Sequence, residues 1–178
     1  MKAEDLSRID AFLSASALEA FASHGLVLEE AEYRGEGIEE PFASTIGFTC
    51  GANRGVLVLT ASRVLAVSSL PANLRHGEVE ARMIADWTGE LSNQMLGRLK
   101  NRFHGAGLEI SLSTPTVFAG REMRHFAIPS SVYRSLLFTG GGGLLLVEFQ
   151  ADFGEDFELG DGPDDGETGA AEGEVLFF

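Results

Sequence analysis

Residues 78–103 read EVEARMIADWTGELSNQMLGRLKNRF, a stretch long enough for an uninterrupted helix of several turns. At about 100° per residue, the large apolar side chains fall on one side of this helix: Ile84, Trp87, Leu91, Met95 and Leu99. Four other residues fall within about 60° of arc on the opposite side: Asp86, Glu90, Asn93 and Gly97. The stretch therefore predicts an amphipathic helix that builds a core on one face and presents a carboxylate, an amide and a glycine gap on the other.

The segments around this helix predict an α+β domain. Apolar spacing predicts a first amphipathic helix at 6–24, and two β-rich runs around a glycine-flanked turn predict a hairpin at 44–60. A short helix is expected next, and four strands follow the long helix: 61–70 for the helix, and 108–113, 124–128, 131–139 and 144–149 for the strands. Because the connections between strands are of hairpin length, we expect an antiparallel sheet covered by two long helices.

The negative charge lies mostly at one end of the chain. Of the 27 acidic residues, eleven lie in 148–178, which contain no Lys or Arg; the other sixteen stand against all thirteen basic residues. Residues 1–151 are therefore predicted to form one domain and residues 152–178 an acidic Gly/Asp/Glu-rich tail. We expect residues 153–173 of this tail to be disordered or loosely held, whereas its apolar end, 175–178, could dock onto a groove here or in a partner.

Composition excludes several classes of partner and compartment. The near-neutral body has no basic stripe, which argues against nucleic acid binding. A single cysteine, Cys50, excludes an internal disulfide. No run approaches the roughly 18 apolar residues of a membrane span, and charges interrupt the apolar N-terminal segment where a signal peptide would need an unbroken one. We therefore expect a cytoplasmic protein with no membrane attachment.

The usual catalytic and metal-binding patterns are missing from the sequence. The four histidines are scattered and lack the i,i+4 spacing of zinc ligands on one helix, so no metal site is expected. The glycine run 140–143 has no following Lys-Ser or Lys-Thr and precedes a strand, which indicates a hairpin turn rather than a phosphate loop. No G-x-S-x-G nucleophile motif is present. Glu90 and Asn93 remain as the candidate site.

On pattern alone, a Glu and an Asn on the wet face of a helix are usually solvated side chains. Their surroundings favour a function, because weak helix formers occupy the middle of this helix: Thr88, Gly89, Ser92 and Asn93. Gly89 and Gly97 each cost about 1 kcal/mol of helix stability relative to Ala, and locally costly residues often mark functional sites. We interpret the glycines as room for the backbone of another protein.

Three blocks of sequence resemble the CheX-type chemotaxis phosphatases, relatives of CheC and FliY. GELSNQMLGRLKNRF, residues 89–103, carries an E-x-x-N motif and its trailing glycine. IGFTCGANRGVLVLTASRVLAVSSL at 46–70 resembles the upstream turn, strand and short helix of the family, and LEISLSTPTVFAG at 108–120 resembles its downstream strand and loop. The chain has one E-x-x-N, as CheX-like members do, whereas CheC-like members have two. The resemblance implies a CheC/CheX-like fold.

The resemblance also implies an activity, which is hydrolysis of the aspartyl phosphate on a CheY-like response-regulator receiver domain. Asn93 would insert into the receiver and position the attacking water, and Glu90 would pair with the receiver's phosphate-binding lysine. Asp86 and Gly97 are expected to line the docking surface. The chain would bind no cofactor of its own, because the receiver supplies the Mg²⁺. A homodimer is expected as in CheX-like members. The alternative is a non-catalytic adaptor or switch-binding module of the same fold.

Overall fold

A computed structural model describes residues 2–35, 37–75, 78–121, 123, 132–154 and 157–160. Within these residues, three helices, one 3-10 turn and seven strands follow one another. In chain order they are α1 Ala3–Ala22, β1 Glu29–Ala31, β2 Pro41–Cys50, β3 Asn53–Ser62, α2 Arg63–Ser69, a 3-10 turn Ala72–Leu74, α3 Ala81–Gly105, β4 Ser111–Leu112, β5 Thr116–Ala119, β6 Val132–Gly140 and β7 Gly143–Asp152.

The seven strands form one antiparallel sheet with the order β1-β6-β7-β3-β2-β4, and β5 also pairs with β2. The predicted hairpin is the β2–β3 pair, whose turn contains Gly51 in a left-handed conformation (φ 58°). Gly55 of β3 allows the closest packing, because a Cβ there would lie 2.3 Å from the Phe48 ring and 2.5 Å from the Gln150 carbonyl oxygen. The glycine run 140–143 is a hairpin turn between β6 and β7, as predicted.

The two long helices lie antiparallel to each other and cover one face of the sheet. Phe12 of α1 meets Phe103 of α3 edge-on with ring centroids 5.8 Å apart, and Phe103 stacks at 6.1 Å on Phe149 of β7. Phe149 in turn stacks at 5.3 Å on Phe48 of β2. One chain of rings therefore joins both helices to two central strands, and the predicted α+β architecture is confirmed.

The strand regions after α3 differ from the prediction in extent. The predicted strand at 108–113 pairs with β2 as a strand only over β4. Ser113 still contacts β2 at Gly47: its backbone N–H donates to the Gly47 carbonyl, and its hydroxyl accepts from the Gly47 backbone N–H, both at 2.9 Å. The strands predicted at 131–139 and 144–149 correspond to β6 and β7. The strand predicted at 124–128 lies outside the described residues.

Ordered packing continues past Ala151, where the tail was predicted to begin. Phe153 and Phe157 stack at 3.8 Å, and both belong to the buried core together with Leu159. The backbone N–H of Gly160 also donates a hydrogen bond of 2.9 Å to the Ala106 carbonyl. The described segments 153–154 and 157–160 therefore pack as part of the domain and differ from the disorder expected there. Residues 161–178, including the apolar end at 175–178, lie outside the described residues.

Candidate functional site

The candidate site is one exposed stripe on α3. Asp86, Glu90 and Asn93 are exposed and lie on successive turns, and Gly97 continues the stripe half-buried. On the opposite side of the helix, the predicted apolar residues are buried: Ile84, Trp87, Leu91, Met95 and Leu99. The structure thus brings all four predicted site residues onto one face, with the core directly behind them.

Asn93 presents its amide on the exposed face of α3. Its residue is exposed, and among the described residues its side chain takes part in no hydrogen bond. An amide combines an acceptor oxygen with two N–H donors, so it can hold a water molecule or a partner group by either end.

Glu90 is held by its own helix. Gln94, four residues on, donates a hydrogen bond of 2.9 Å from Nε2 to Oε1 of Glu90, and the Gln94 Oε1 atom lies 2.8 Å from Nε2 of His24. The sequence analysis assigned no role to Gln94, and it treated His24 as one of four scattered histidines. The i,i+4 spacing of Glu90 and Gln94 could have indicated the first contact, but no local pattern indicates the second.

Trp87 lies behind the stripe and ties it to two other elements. Its indole Nε1 donates a hydrogen bond of 3.0 Å to the Ser69 hydroxyl at the end of α2, and that hydroxyl donates to the Ala66 carbonyl at 2.9 Å. The His24 ring packs edge-on against Trp87 with centroids 4.7 Å apart. The turn of α3 that carries Glu90 is therefore fixed to α2 and to the chain that follows α1.

The weak helix formers near Glu90 serve packing inside this chain. Thr88 is buried and its hydroxyl donates 2.8 Å to the Ile84 carbonyl, while Ser92 is fully buried. At Gly89 a Cβ would lie 3.2 Å from Cγ2 of Val117 on β5, so β5 already fills the space that this glycine leaves. The interpretation of Gly89 as room for a partner is wrong. Of these two helix glycines, Gly97 is the one that opens to the outside, since a Cβ there would meet no heavy atom within 4 Å.

Neither a metal cluster nor a membrane helix occurs in the part of the chain that the structure describes. No three His, Cys, Asp or Glu side chains within it come together as metal ligands, and none of its helices combines the length and apolar character of a bilayer span. His76 and His125 are outside the described residues, so the prediction about scattered histidines is tested only for His24 and His104.

A family model described as "Chemotaxis phosphatase CheX" matches residues 42–132, which is just over half of the chain and includes the whole exposed stripe. This chain belongs to the CheX family. The resemblance drawn from the three sequence blocks is confirmed. A search of curated proteins found no match to this chain.

Solved structures share the fold of this CheX-family chain. The chemotaxis protein CheX from Vibrio vulnificus superposes with a TM-score of 0.71 at 18% identity, over 79% of this chain and 97% of that one. CheX from Borrelia burgdorferi, solved in complex with CheY, BeF3 and Mg²⁺, gives 0.56 at 12% identity over 84% and 98%. The FliM middle domain from H. pylori gives 0.53 at 11% identity over 84% and 92%. At these identities, the likeness shows the CheX/CheC fold.

Proposed function

We propose that this CheX-family chain accelerates hydrolysis of the aspartyl phosphate on a CheY-like receiver domain. The observation that carries the proposal is a pair of side chains one turn apart on the exposed face of a helix whose back is buried. One is the amide of Asn93, which makes no hydrogen bond to the described residues, and the other is the carboxylate of Glu90. A rigid helix holds such a pair at a fixed separation, which a reaction that depends on positioning requires. Membership of a phosphatase family and the fold shared with a CheX that binds CheY support the same reading.

Asn93 positions the attacking water. Phosphoryl transfer needs a nucleophile in line with the leaving oxygen, together with charge stabilisation that the receiver's Mg²⁺ and cationic groups already supply. An amide can accept from and donate to a water without bringing a second anion next to the phosphoryl group. Asn93 is exposed enough to enter a partner's site, and it has no bond within the described chain to give up first.

Glu90 anchors the receiver. Its Oε1 atom accepts the bond from Gln94, so Oε2 can accept from the receiver's phosphate-binding lysine. This charge-assisted contact sets the depth to which Asn93 inserts, and it leaves Glu90 outside the proton transfer itself. Asp86 and Gly97 extend the docking surface on either side of the pair, the first with a charge and the second with an open gap.

Substitution of Asn93 tests the proposal. Asn93→Ala should lower the accelerated rate of phosphate release from an acetyl-phosphate-treated receiver by about 100-fold, since loss of correct positioning of a reactant costs on that scale. The affinity for the receiver activated with beryllofluoride should change little. Asn101→Ala, which removes another exposed asparagine of α3, is the matched control and should keep the full rate. An Asn93→Ala protein with the wild-type rate would refute the assignment.

Substitution of Glu90 tests the anchor. Glu90→Gln should raise the KM for the phosphorylated receiver, because an amide pairs with a lysine far less strongly than a carboxylate does. Glu78→Gln changes the net charge by the same amount outside α3 and serves as the control. Equal KM values for Glu90→Gln and the wild type would remove Glu90 from the docking contact.

A second candidate function is a switch-binding or adaptor module without turnover. The similarity in fold to the FliM middle domain supports this second candidate. Under this alternative the chain would bind activated receivers while the lifetime of their aspartyl phosphate stayed unchanged. The phosphate-release assay with wild-type protein therefore separates the two functions directly.

We also propose that two copies pair through a sheet edge. The β4–β5 edge exposes two large apolar side chains, Leu112 at 38% and Phe118 at 49%. A dimer would bring two Glu90–Asn93 pairs into one particle. Sedimentation analysis of the wild type against Phe118→Lys tests this, and a monomeric wild type at micromolar concentration would contradict it.

A further inference from the structure

We infer that Gln94 and His24 are positioning residues that hold the Glu90 carboxylate in a single orientation ready for docking. The inference rests on the proposed function, since it assigns the support of the same site. Its basis is a continuous line of hydrogen bonds from the chain after α1 to the exposed stripe: His24 Nε2 to Gln94 Oε1 at 2.8 Å, and Gln94 Nε2 to Glu90 Oε1 at 2.9 Å.

The chemistry of the three groups gives this line one direction. A carboxylate can only accept hydrogen bonds, so Gln94 must turn its NH₂ toward Glu90 and its carbonyl toward His24. A carbonyl oxygen is likewise an acceptor, so the Nε2 atom of His24 must carry a proton and donate it. Glu90 thus fixes the orientation of the Gln94 amide, and the Gln94 carbonyl requires a proton on Nε2 of His24. A flip of the Gln94 amide would break both contacts.

The far end of the line is anchored in the fold. The backbone N–H of His24 donates 3.0 Å to the Phe21 carbonyl, and its ring meets Trp87 edge-on at 4.7 Å. Trp87 is itself tied to Ser69 of α2. If the His24 ring swung away from Gln94, it would lose its edge-on contact with Trp87. A Glu–Gln pair that stands alone on a helix surface has no such contact to hold it in place.

Fixing Glu90 matters for affinity. An exposed glutamate samples several rotamers, and immobilising such a side chain on binding costs about 0.5–1.5 kcal/mol, equivalent to about a 2- to 13-fold loss of affinity. In this chain, Gln94 restrains one oxygen before the receiver arrives and leaves the other available. The restraint acts on docking and not on the water held by Asn93, so its loss should raise KM and leave kcat nearly unchanged.

A merely structural tie between α1 and α3 would predict something different. Removing such a tie would lower the stability of the protein without a selective effect on KM. The effect of its removal would be the same whether or not Glu90 were present. Three variants separate these readings. Gln94→Met keeps the side-chain length and removes both hydrogen bonds, His24→Phe keeps a ring against Trp87 and removes the donor, and His24→Gln restores a donor.

Phosphate release from a CheY-like receiver phosphorylated with acetyl phosphate in Mg²⁺ measures kcat and KM for each full-length variant. We expect Gln94→Met and His24→Phe to raise KM by about 3- to 10-fold with kcat within about 2-fold of wild type. His24→Gln, which supplies an N–H donor without the ring contact to Trp87, should give a KM below that of His24→Phe. In a Glu90→Ala background, neither Gln94→Met nor His24→Phe should change KM further. Lys100→Met, at another exposed position of α3, is the control.

The outcomes show separately whether the proposed function or the positioning role fails. A wild type that does not accelerate phosphate release, or an Asn93→Ala variant with full rate, overturns the proposed function and this inference with it. A wild type that depends on Asn93 but shows unchanged KM in Gln94→Met overturns the positioning role alone. The same holds if the KM increase persists undiminished in the Glu90→Ala background. Gln94→Met changes a side chain on the outer part of α3, so the test remains decisive even if His24→Phe folds poorly.

Discussion

Replacing Gly97 with alanine should make the protein more stable and less able to dock. Gly97 lies inside α3, eight residues before its end, and a Cβ there would meet no heavy atom within 4 Å. Alanine in a helix interior is about 1 kcal/mol more favourable than glycine. For a chain of this length, that gain corresponds to a rise in Tm of about 2–4 °C. At the same time, a methyl group in the gap would collide with a receiver packed against the stripe.

The collision sets the expected loss of affinity. An added methyl group in a close-packed contact typically costs about 1–3 kcal/mol, so the Kd for a beryllofluoride-activated receiver should rise by about 5- to 150-fold. Thermal unfolding followed by circular dichroism gives Tm, and titration calorimetry gives Kd. Gly89→Ala is the matched control: it offers the same helix-propensity gain, but its Cβ would lie 3.2 Å from Cγ2 of Val117, so its Tm should rise less or fall.

Three results would each refute a part of this reasoning. If Gly97→Ala leaves Tm unchanged or lowers it, the site is not the open, helix-destabilising position that the geometry describes. If Tm rises while receiver affinity stays at the wild-type value, Gly97 does not belong to the docking surface. If Gly89→Ala stabilises as much as Gly97→Ala, the contact with β5 does not constrain α3.

Three further predictions concern the body of the protein. Phe157→Ala should lower the free energy of unfolding by about 3 kcal/mol in urea titrations, because its ring is buried against the core, and an unchanged midpoint would return this segment to the tail. Trp87→Phe should cost about 1 kcal/mol through the lost bond to Ser69, and a neutral effect in the same titration would show that this bond does not stabilise the fold. Burial, and secondarily the charge of Glu109, raise the pKa of the Cys50 thiol, so less thiolate is present at pH 8 than for a free cysteine. Its reaction with Ellman's reagent should therefore be slow in the native protein and fast in urea, and equal rates would contradict the burial.

The periodicity of α3 was enough to predict which residues face outward, because one helix sets that angle alone. It was not enough to explain Gly89. This residue must be small because Val117 of β5 packs against it, and the pattern of a helix does not predict where a strand will lie. The contact between His24 and Gln94 joins residues 70 positions apart and depends on how α1 crosses α3. Local spacing carries no information about such contacts.

The boundary at 151 shows a different limit of sequence reasoning. Glycine and acidic residues dominate the composition after β7, and this average favours disorder. Burial, however, depends on single side chains that reach a core already formed. Phe153, Phe157 and Leu159 do so, while the carboxylate of Asp5 in α1 accepts a hydrogen bond of 3.3 Å from the Leu159 backbone N–H.

The two residues of the candidate site differ in how far the free protein restrains them, and the difference corresponds to their proposed roles. Glu90 is held by Gln94, which suits an anchor that must meet a cation at one depth. Asn93 has no hydrogen bond within the described chain, so its amide can turn to match a water whose position the receiver's phosphoryl group dictates. The cost of ordering that amide falls after docking, when the Glu90 contact has already formed. Loss of the anchor should therefore reduce turnover through docking, and loss of the amide should reduce turnover in the docked complex.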